Sequence, residues 1–403
     1  MTEIMDSTTH DAERLKELQA FPLERKIQIT QNRIQEFYQH FDGRVYVSFS
    51  GGKDSTVLAL LARQLYPDIP MVYANTGLEF TSVQKFVSTW DNVTKLYPAM
   101  AFPEVISTYG YPLISKEVAE AIYYARRIDC RTHTQKKKKN CLIREKLSGT
   151  CLWYPQKQSA DGGQTQNGGV FSSTGELIEQ PLKSTYNKRK WLEAAQELPF
   201  MISHRCCNVM KKSPLHKYET ANKSVPILGI MTEESRIRKQ AWIKGGCNVF
   251  NSKRPQSKPM AFWTEQDVLH FIKESNIKIA DAYGDIVPVD YTFDNLENFR
   301  ECKLECTGCD RTGCVYCGFG AHSKGDRRFL LLAEQDPRKY EYSMNGGQWV
   351  DNPAYDATAP VYDGEWKNWN PKKIWVPSKE GLGLREVFRR FNELYPNNKI
   401  KYE

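Results

Sequence analysis

The chain has 403 residues, of which 40% are hydrophobic and 26% are charged, a balance typical of globular proteins and not of disordered ones. Its net charge of +8 suits an anionic ligand, and its longest apolar runs, such as residues 57–62, are too short to cross a bilayer. Because residues 1–10 lack the basic start and apolar core of a signal peptide, we expect a cytoplasmic protein with no membrane-spanning segment.

The first hundred residues predict a strand–turn–helix–strand unit that follows a helical segment. Residues 12–40 have helical periodicity interrupted near Pro22, residues 44–49 (RVYVSF) form a β-rich run, and residues 55–66 are again helical. Residues 71–74 predict the next strand, and residues 78–96 a loop and then a helix. This βαβ pattern predicts an α/β fold with a Rossmann-like parallel sheet.

The remaining chain has a less regular pattern. Residues 126–183 have the composition of a basic insertion with loops, and residues 225–230 (VPILGI) predict a return to the sheet. Helices are expected at residues 267–275, with Thr264 as N-cap, and at residues 384–395, whereas the rest of the chain after Phe319 shows no strong period. The expected domains are a helical segment at 1–42, a nucleotide-binding domain at 43–300, a cysteine-rich segment at 301–322 and an extension at 323–403.

The sequence SFSGGKDS at residues 48–55 predicts a phosphate-binding loop. Glycines allow the backbone to approach phosphate oxygens, the helix that follows presents free N–H groups, and a lysine adds a full positive charge. Asp54 is expected either to cap the helix or to hold Mg²⁺. The Walker pattern is absent. The predicted ligands of the phosphates are Ser48, Ser50, Gly51, Gly52, Lys53, Asp54 and Ser55.

This loop resembles the signature of the PP-loop ATP pyrophosphatases, the adenine nucleotide alpha-hydrolase superfamily. Four further segments resemble one of its branches, the phosphoadenosine phosphosulfate (PAPS) reductase family. The segments are NTGLEF at 75–80, RCCNVMKKSPL at 205–215, GIMTEESRIR at 229–238 and PMAFWTEQDVLHFIKESNIKIADAY at 259–283. Two residues depart from the family pattern: in the first segment Asn75 stands where aspartate is common, and in the third Met231 replaces the family's arginine.

The resemblance implies an adenine nucleotide, ATP or a PAPS-like molecule, at the carboxyl edge of the sheet. Gly77 would lie near the adenine or ribose, and Lys53, Arg236 and Arg238 near phosphates or sulfate, with a surface salt-bridge role as the alternative for the arginines. Lys116 is a weaker candidate for the same anion site. The resemblance assigns catalysis to Lys53, Asp54, Arg236 and Arg238, and further nucleotide contacts to Asn75, Thr76, Gly77, Glu234 and Ser235.

The chain contains eleven cysteines, and five of them lie between Cys302 and Cys317. The layout of the metal-ligand candidates Cys206, Cys207, Cys314 and Cys317 resembles the CC…CxxC pattern of the family's iron–sulfur branch, which is related to the DNA phosphorothioation sulfurtransferases. It implies a 4Fe–4S cluster, since thiolates suit iron. One alternative is a zinc site formed by Cys306, Cys309, Cys314 and Cys317, and another is a set of free thiols.

Three functions are compatible with these residues. The leading hypothesis is an ATP-dependent enzyme that releases pyrophosphate, activates a substrate and transfers sulfur to it, with Mg²⁺, a cysteine desulfurase-like donor protein and a nucleic acid as candidate partners. The second is a sulfonucleotide reductase, although no cysteine follows Cys317, whereas thioredoxin-dependent members of the family carry one in a C-terminal E-C-G-x-H segment. The third is a non-catalytic nucleotide sensor or nucleic-acid adaptor.

Overall fold

The computed structural model describes residues 10–126, 164–166, 169–171, 177–179, 191, 194, 197–290, 302–358 and 369–403. It divides the chain into two compact units. The first comprises Met1–Met100, Asn208–Val315 and Glu334–Asp336, and the second comprises Ala101–Cys207, Tyr316–Ala333 and Pro337–Glu403. The expected insertion lies mostly outside the described residues, including its four lysines at 136–139. Within the described ranges, no helix has both the length and the apolar character needed to span a membrane.

The α-helices of the two units are numbered along the chain. They are α1 (Ala12–Gln19), α2 (Leu23–His40), α3 (Lys53–Leu65), α4 (Thr81–Ser88), α5 (Phe102–Tyr109), α6 (Lys116–Ala125), α7 (Ser213–Asn222), α8 (Arg236–Gly245), α9 (Glu265–Glu274), α10 (Arg328–Gln335), α11 (Pro337–Met344) and α12 (Leu384–Leu394). A π-helix at Asn208–Lys212 leads into α7, and a 3₁₀ turn occupies Asp281–Tyr283.

The β-strands among the described residues are short, and the longest of them have four residues. They are β1 (Val45–Ser48), β2 (Met71–Ala74), β3 (Val93–Leu96), β4 (Leu113–Ile114), β5 (Gln164–Gln166), β6 (Gly169–Phe171), β7 (Leu177–Glu179), β8 (Val225–Leu228), β9 (Asn248–Val249), β10 (Gln256–Ser257), β11 (Ile286–Pro288), β12 (Leu304–Cys306), β13 (Gly318–Phe319), β14 (Gln348–Asp351) and β15 (Lys373–Val376).

A six-stranded sheet of order β3-β2-β1-β8-β10-β9 forms the centre of the first unit, and all its pairings are parallel except β9 with β10. The expected Rossmann-like fold is confirmed. From β1 the chain builds outward through β2 and β3, and it then returns to place β8 on the other side of β1. Such a reversal leaves a crevice beyond the carboxyl ends of the two central strands, where open α/β sheets bind ligands. The candidate site is therefore expected after β1 and β8.

Helices α2, α3 and α9 pack together beside the sheet, and their apolar faces are buried. Helix α9 begins with a capping box: the Asp267 carboxylate accepts a hydrogen bond from the Thr264 amide, and the Thr264 hydroxyl accepts one from the Asp267 amide. The Asp267 carboxylate also accepts two hydrogen bonds from the Lys26 ammonium of α2, at 2.6 and 2.8 Å. The side chain of Lys26 is only 3% exposed. This ion pair joins α2 to α9 inside the unit.

Most of the elements expected from the sequence are present, and one expectation is wrong. Residues 78–96 do not end as a helix: α4 ends at Ser88, and Val93–Leu96 is the edge strand β3, which is too short and too exposed for its period to be recognised. The region after Phe319 contains α10, α11, β14 and β15 in addition to the expected α12. The N-cap at Thr264 is confirmed.

The second unit is built from short strand pairs and helices. Strand β4 pairs in parallel with β13, β14 pairs antiparallel with β15, and β5–β7 form a separate three-stranded sheet. Helix α12 buries Val387, Phe388 and Phe391, and the Phe391 ring stacks on Trp191. This unit therefore has a core of its own.

Candidate nucleotide-binding site

The phosphate loop leaves the sheet at the end of β1 and enters α3. Gly51 has a φ of +72°, which glycine adopts without strain, and a Cβ placed on it would lie 2.5 Å from Val87 Cγ2 of α4. Gly52 is the N-cap of α3 and has no side chain to accept from the helix. The amides of the first helical turn have no acceptors within the helix, so this end of α3 is suited to an anion.

Two serines of the loop bind each other and fix its shape. The Ser50 and Ser55 hydroxyls are 3.0 Å apart, the Ser50 amide donates to Ser55 Oγ at 3.2 Å, and the Gly52 amide donates to Ser50 Oγ at 3.3 Å. Behind the loop, Gly229 lies so close to Asp54 that an added Cβ would be 3.1 Å from its carbonyl oxygen. The loop is therefore held from both sides. Ser48, the first residue of the predicted set, ends β1.

Lys53 is the first residue of α3 and is 3% exposed. Its ammonium donates to the Asp310 carbonyl at 2.6 Å and pairs with the Glu265 carboxylate at 3.0 Å. Burial disfavours the charge, but Asp54, Tyr283 and Glu265 outweigh it and raise the pKa of Lys53. The lysine is therefore a protonated, buried cation at the helix N-terminus.

Asp54 does not cap α3, because it lies within the first turn and Gly52 is the cap, so the capping interpretation is wrong. Its Oδ1 atom is buried and has no hydrogen-bond partner in the part of the chain that the structure describes. Burial raises the pKa of Asp54, and the nearby Lys53 ammonium opposes that rise. A buried carboxylate oxygen without a partner fits a ligand of Mg²⁺, the alternative that the sequence left open.

The second segment follows β2 at the same edge of the sheet. The Asn75 side chain accepts from the Gly77 amide at 3.2 Å, and the Thr76 hydroxyl donates to the buried Glu79 carboxylate at 2.7 Å. Gly77 is exposed, with a φ of +74° and open space around the position of a Cβ. The turn therefore leaves room beside Gly77 for a planar ligand group.

The third segment follows β8 and begins α8. Ser235 is the N-cap of α8 and accepts from the Arg238 amide at 3.3 Å. Glu234 forms an ion pair with Arg238, and its other oxygen lies 4.0 Å from Arg311. Burial, and then the charge of Arg311, lower the pKa of Arg238. Arg236 is the exposed first residue of α8.

Most of the predicted residues lie in the first unit, after β1, β2 or β8, whereas Lys116 belongs to the second unit. Asp54 is close enough to Lys53, Arg238 and Arg311 to interact with them electrostatically. Sequence reasoning missed Glu265, Tyr283 and Arg311. Tyr283 is the last residue of the segment at 259–283 that resembles the family, and this resemblance could have identified it. Arg311 stands between cysteines whose spacing suggested metal ligands.

A family model described as the phosphoadenosine phosphosulfate reductase domain matches residues 44–108 and 171–318, just over half of the chain. The chain belongs to the PAPS reductase family. It is therefore a member of the adenine nucleotide alpha-hydrolase superfamily, and the expected family is confirmed. The matched residues include the phosphate loop and the second and third segments.

The chain also shares 34% identity over 86 residues with an uncharacterized protein of Methanocaldococcus jannaschii. That match covers 20% of this chain and 21% of the relative, so the chain spans about a fifth of the relative's length.

The cysteines that suggest the iron–sulfur branch of the PAPS reductase family are divided between the units. Cys314 lies in the first unit, and Cys206, Cys207 and Cys317 lie in the second. Among the described residues, no group of three or more His, Cys, Asp or Glu side chains is placed to hold a metal ion. A metal centre shared by these four cysteines stays a prediction.

Metal analysis tests this prediction. Protein purified without oxygen is expected to contain about four iron atoms and as many sulfides per chain, as a 4Fe–4S cluster requires. Cys207→Ser is expected to lose them, whereas Cys247→Ser, which changes a buried cysteine outside the predicted set, is expected to keep them. Stoichiometric zinc without iron would instead support the alternative site.

Two other cysteines lie in the first unit near the phosphate loop. Cys306 interacts electrostatically with Lys53, Glu265 and Asp54, and burial raises the pKa of its thiol to about 11. Burial likewise raises the pKa of Cys309 to about 11, and its Sγ donates to the Ala282 carbonyl at 2.8 Å. Both thiols are protonated at neutral pH, and this weakens them as nucleophiles.

The raised pKa of Cys306 predicts its alkylation profile. Only the thiolate reacts, so its rate with iodoacetamide will be low at pH 8 and will continue to rise above pH 9, where an ordinary thiol levels off. Mass spectrometry of the labelled peptide from pH 7 to pH 11 measures this rate, with glutathione as the reference thiol. A plateau near pH 9 would show that the thiol is not held in a desolvated environment.

Proposed function

We propose that this PAPS reductase family member binds ATP at the phosphate loop and transfers AMP to a substrate oxygen, releasing pyrophosphate. The observation that carries the proposal is the buried Lys53 ammonium at the N-terminus of α3, beyond the carboxyl ends of β1 and β8. A lysine and the amides of a helix N-terminus at a topological switch point supply positive charge where a triphosphate would lie.

In the proposed reaction a hydroxyl or amide oxygen of the substrate attacks the α-phosphorus. The bond between that phosphorus and the oxygen bridging to the β-phosphate breaks, and pyrophosphate leaves with the bonding electrons. A proton of the substrate passes to solvent. Lys53 and the first-turn amides of α3 stabilise the charge that develops on the phosphate oxygens, and Arg238 is near enough to Asp54 to contribute.

Asp54 is the residue that would hold Mg²⁺ here, through its unpartnered buried oxygen. When bound, Mg²⁺ neutralises charge on the phosphates. In a second step the outer sulfur of a donor, such as the persulfide of a cysteine desulfurase-like protein, attacks the substrate carbon whose oxygen carries AMP. AMP leaves with that oxygen. A second thiol, of the donor or of a thiol reductant, then attacks the donor cysteine's sulfur, so that the S–S bond breaks, a disulfide forms and the outer sulfur remains on the substrate. The basic composition of the chain makes a nucleic acid the favoured acceptor to test.

The test is to incubate the protein with ATP labelled at the α-phosphate, Mg²⁺ and candidate acceptors, and to measure AMP and pyrophosphate. Equal amounts of both, formed only with an acceptor and lost in Lys53→Ala, would support the proposal. Release of ADP and phosphate would contradict it.

A second function, sulfonucleotide reduction, is favoured by one observation: the Cys306 thiol lies within electrostatic reach of Lys53. In that reaction a thiolate would attack the sulfonucleotide's sulfur, and the adenosine phosphate would leave as the S–O bond breaks. A thioredoxin thiol would then attack the sulfonated cysteine and release sulfite, and thioredoxin would be oxidised to its disulfide. We expect no sulfite with thioredoxin as the reductant, because the Cys306 thiol is protonated and bound nucleotide would add negative charge beside it. Repeated turnover that Cys306→Ser abolishes would make this the leading function. Salt-sensitive nucleic-acid binding without turnover would instead indicate an adaptor.

A further inference from the structure

A short segment after β12, residues 307–312, lies across the turn that contains Tyr283, and we call it the strap. The Thr307 amide donates to the Asp285 carbonyl, the Gly308 amide to the Tyr283 carbonyl and the Cys309 amide to the Ala282 carbonyl, each at 2.9 Å. These bonds extend the β11–β12 pairing past the end of the strands. They hold the strap in one register against the turn.

The strap and Tyr283 occupy two hydrogen-bond donors of Lys53 in the phosphate loop. The Lys53 amide, at the N-terminus of α3, donates to the Tyr283 hydroxyl at 3.0 Å, and this hydroxyl lies 2.8 Å from Thr312 Oγ1. The Lys53 ammonium donates to the Asp310 carbonyl at 2.6 Å. Both donors are thus satisfied by oxygen atoms of the protein. These donors are the ones that phosphate oxygens would need.

We propose that the strap is a latch that the nucleotide displaces: the Asp310 carbonyl and the Tyr283–Thr312 hydroxyl pair hold the donors of Lys53 until phosphate oxygens replace them. This inference rests on the proposed nucleotide site. The apparent dissociation constant is then the intrinsic constant divided by the fraction of molecules with the strap open. Nucleotide binding also frees Cys309, which is 4% exposed and bonded to the Ala282 carbonyl while the strap is closed.

The strap offers a matched pair of glycine substitutions. A Cβ on Gly308 would lie 2.4 Å from the Ala282 carbonyl oxygen and 2.8 Å from the Tyr283 carbonyl carbon, so Gly308→Ala forces the strap away from the turn. A Cβ on Gly313 would meet nothing within 4 Å, so Gly313→Ala makes the same chemical change without a clash. Thr312→Val removes the hydroxyl that binds Tyr283 and adds no volume to the backbone.

The experiment measures ATP affinity by calorimetry and the iodoacetamide labelling of Cys309 by mass spectrometry. Gly308→Ala and Thr312→Val are expected to bind ATP about three- to tenfold more tightly than the wild type, the equivalent of losing one competing hydrogen bond. Gly313→Ala is expected to bind as the wild type does. In the wild type, addition of ATP is expected to accelerate the labelling of Cys309. In Gly308→Ala, Cys309 is expected to be labelled faster than in the wild type even without ATP.

Cys247, which is buried and bonded to Trp242 Nε1, is the internal reference for folding. Labelling of Cys247 in Gly308→Ala would mean that this variant is misfolded, and the ATP affinity of Thr312→Val would then decide the test. If the wild type binds ATP but neither variant binds more tightly, the latch is wrong and the nucleotide site stands. If Gly308→Ala and Thr312→Val bind ATP and the wild type does not, the result would support a latch that is tightly closed in the wild type. Absence of binding in all four proteins would overturn the latch and the nucleotide site together.

Discussion

Lys53→Ala is expected to weaken ATP binding by about 1.5–3 kcal/mol, roughly 10- to 150-fold in dissociation constant, the usual effect of losing a hydrogen bond to a charged group. The expected loss is large because Lys53 is almost fully buried, so that water screens its interaction with phosphate poorly. Isothermal titration calorimetry of both proteins with Mg²⁺ and ATP measures the difference.

The matched control is Lys85→Ala, which removes the same charge from an exposed position on α4. Its ATP affinity should equal that of the wild type. Equal affinity in Lys53→Ala and the wild type would show that the phosphates do not bind at this loop. A parallel loss in both lysine variants would show that the overall charge of the protein is responsible.

Asp267→Ala is expected to destabilise the protein by about 3–5 kcal/mol, because it leaves the buried Lys26 ammonium without its carboxylate. The same change removes one half of the capping box of α9. Urea unfolding followed by circular dichroism measures the free energy of unfolding. The double variant Lys26→Met/Asp267→Leu should regain much of the loss, since it removes both charges and keeps the volume apolar.

Thr264→Ala separates the two contributions of Asp267. It removes the other half of the capping box and leaves the ion pair intact, so it should cost only about 1 kcal/mol. If Asp267→Ala and Thr264→Ala cost the same, the ion pair between α2 and α9 contributes no net stability. The aspartate of the family-like W-T-x-x-D segment would then act through the helix cap alone.

The sequence predicted the elements whose signal is local. The run of apolar residues in β1, the glycines of the phosphate loop and the capping residue Thr264 each act within a few residues of their position, and each lies where expected. The family-like segments placed the site at the right edge of the sheet. Strand β3 was missed because four residues at a sheet edge obtain their conformation from the neighbouring strand β2 rather than from a pattern of their own.

The contacts that the sequence did not predict are those between distant segments. Lys53 is 230 positions from the tyrosine hydroxyl that its amide binds and 257 positions from the Asp310 carbonyl. No periodicity encodes such pairs, and a carbonyl acceptor has no side-chain signature at all. The prediction that Asp54 caps α3 was wrong for a related reason. Only the structure shows that α3 starts one residue before Asp54 and that a carboxylate oxygen of Asp54 is buried.

Gly51 packs against Val83 and Val87 of α4, and this packing holds the phosphate loop in its shape in the folded protein. Both valines are fully buried, so the loop is ordered before a ligand arrives. The conformational entropy lost in shaping the loop is then part of the folding free energy and does not reduce the free energy of binding. A cavity opened at Val83 or Val87 would therefore weaken a ligand that neither side chain touches, because the ligand would have to order the loop itself.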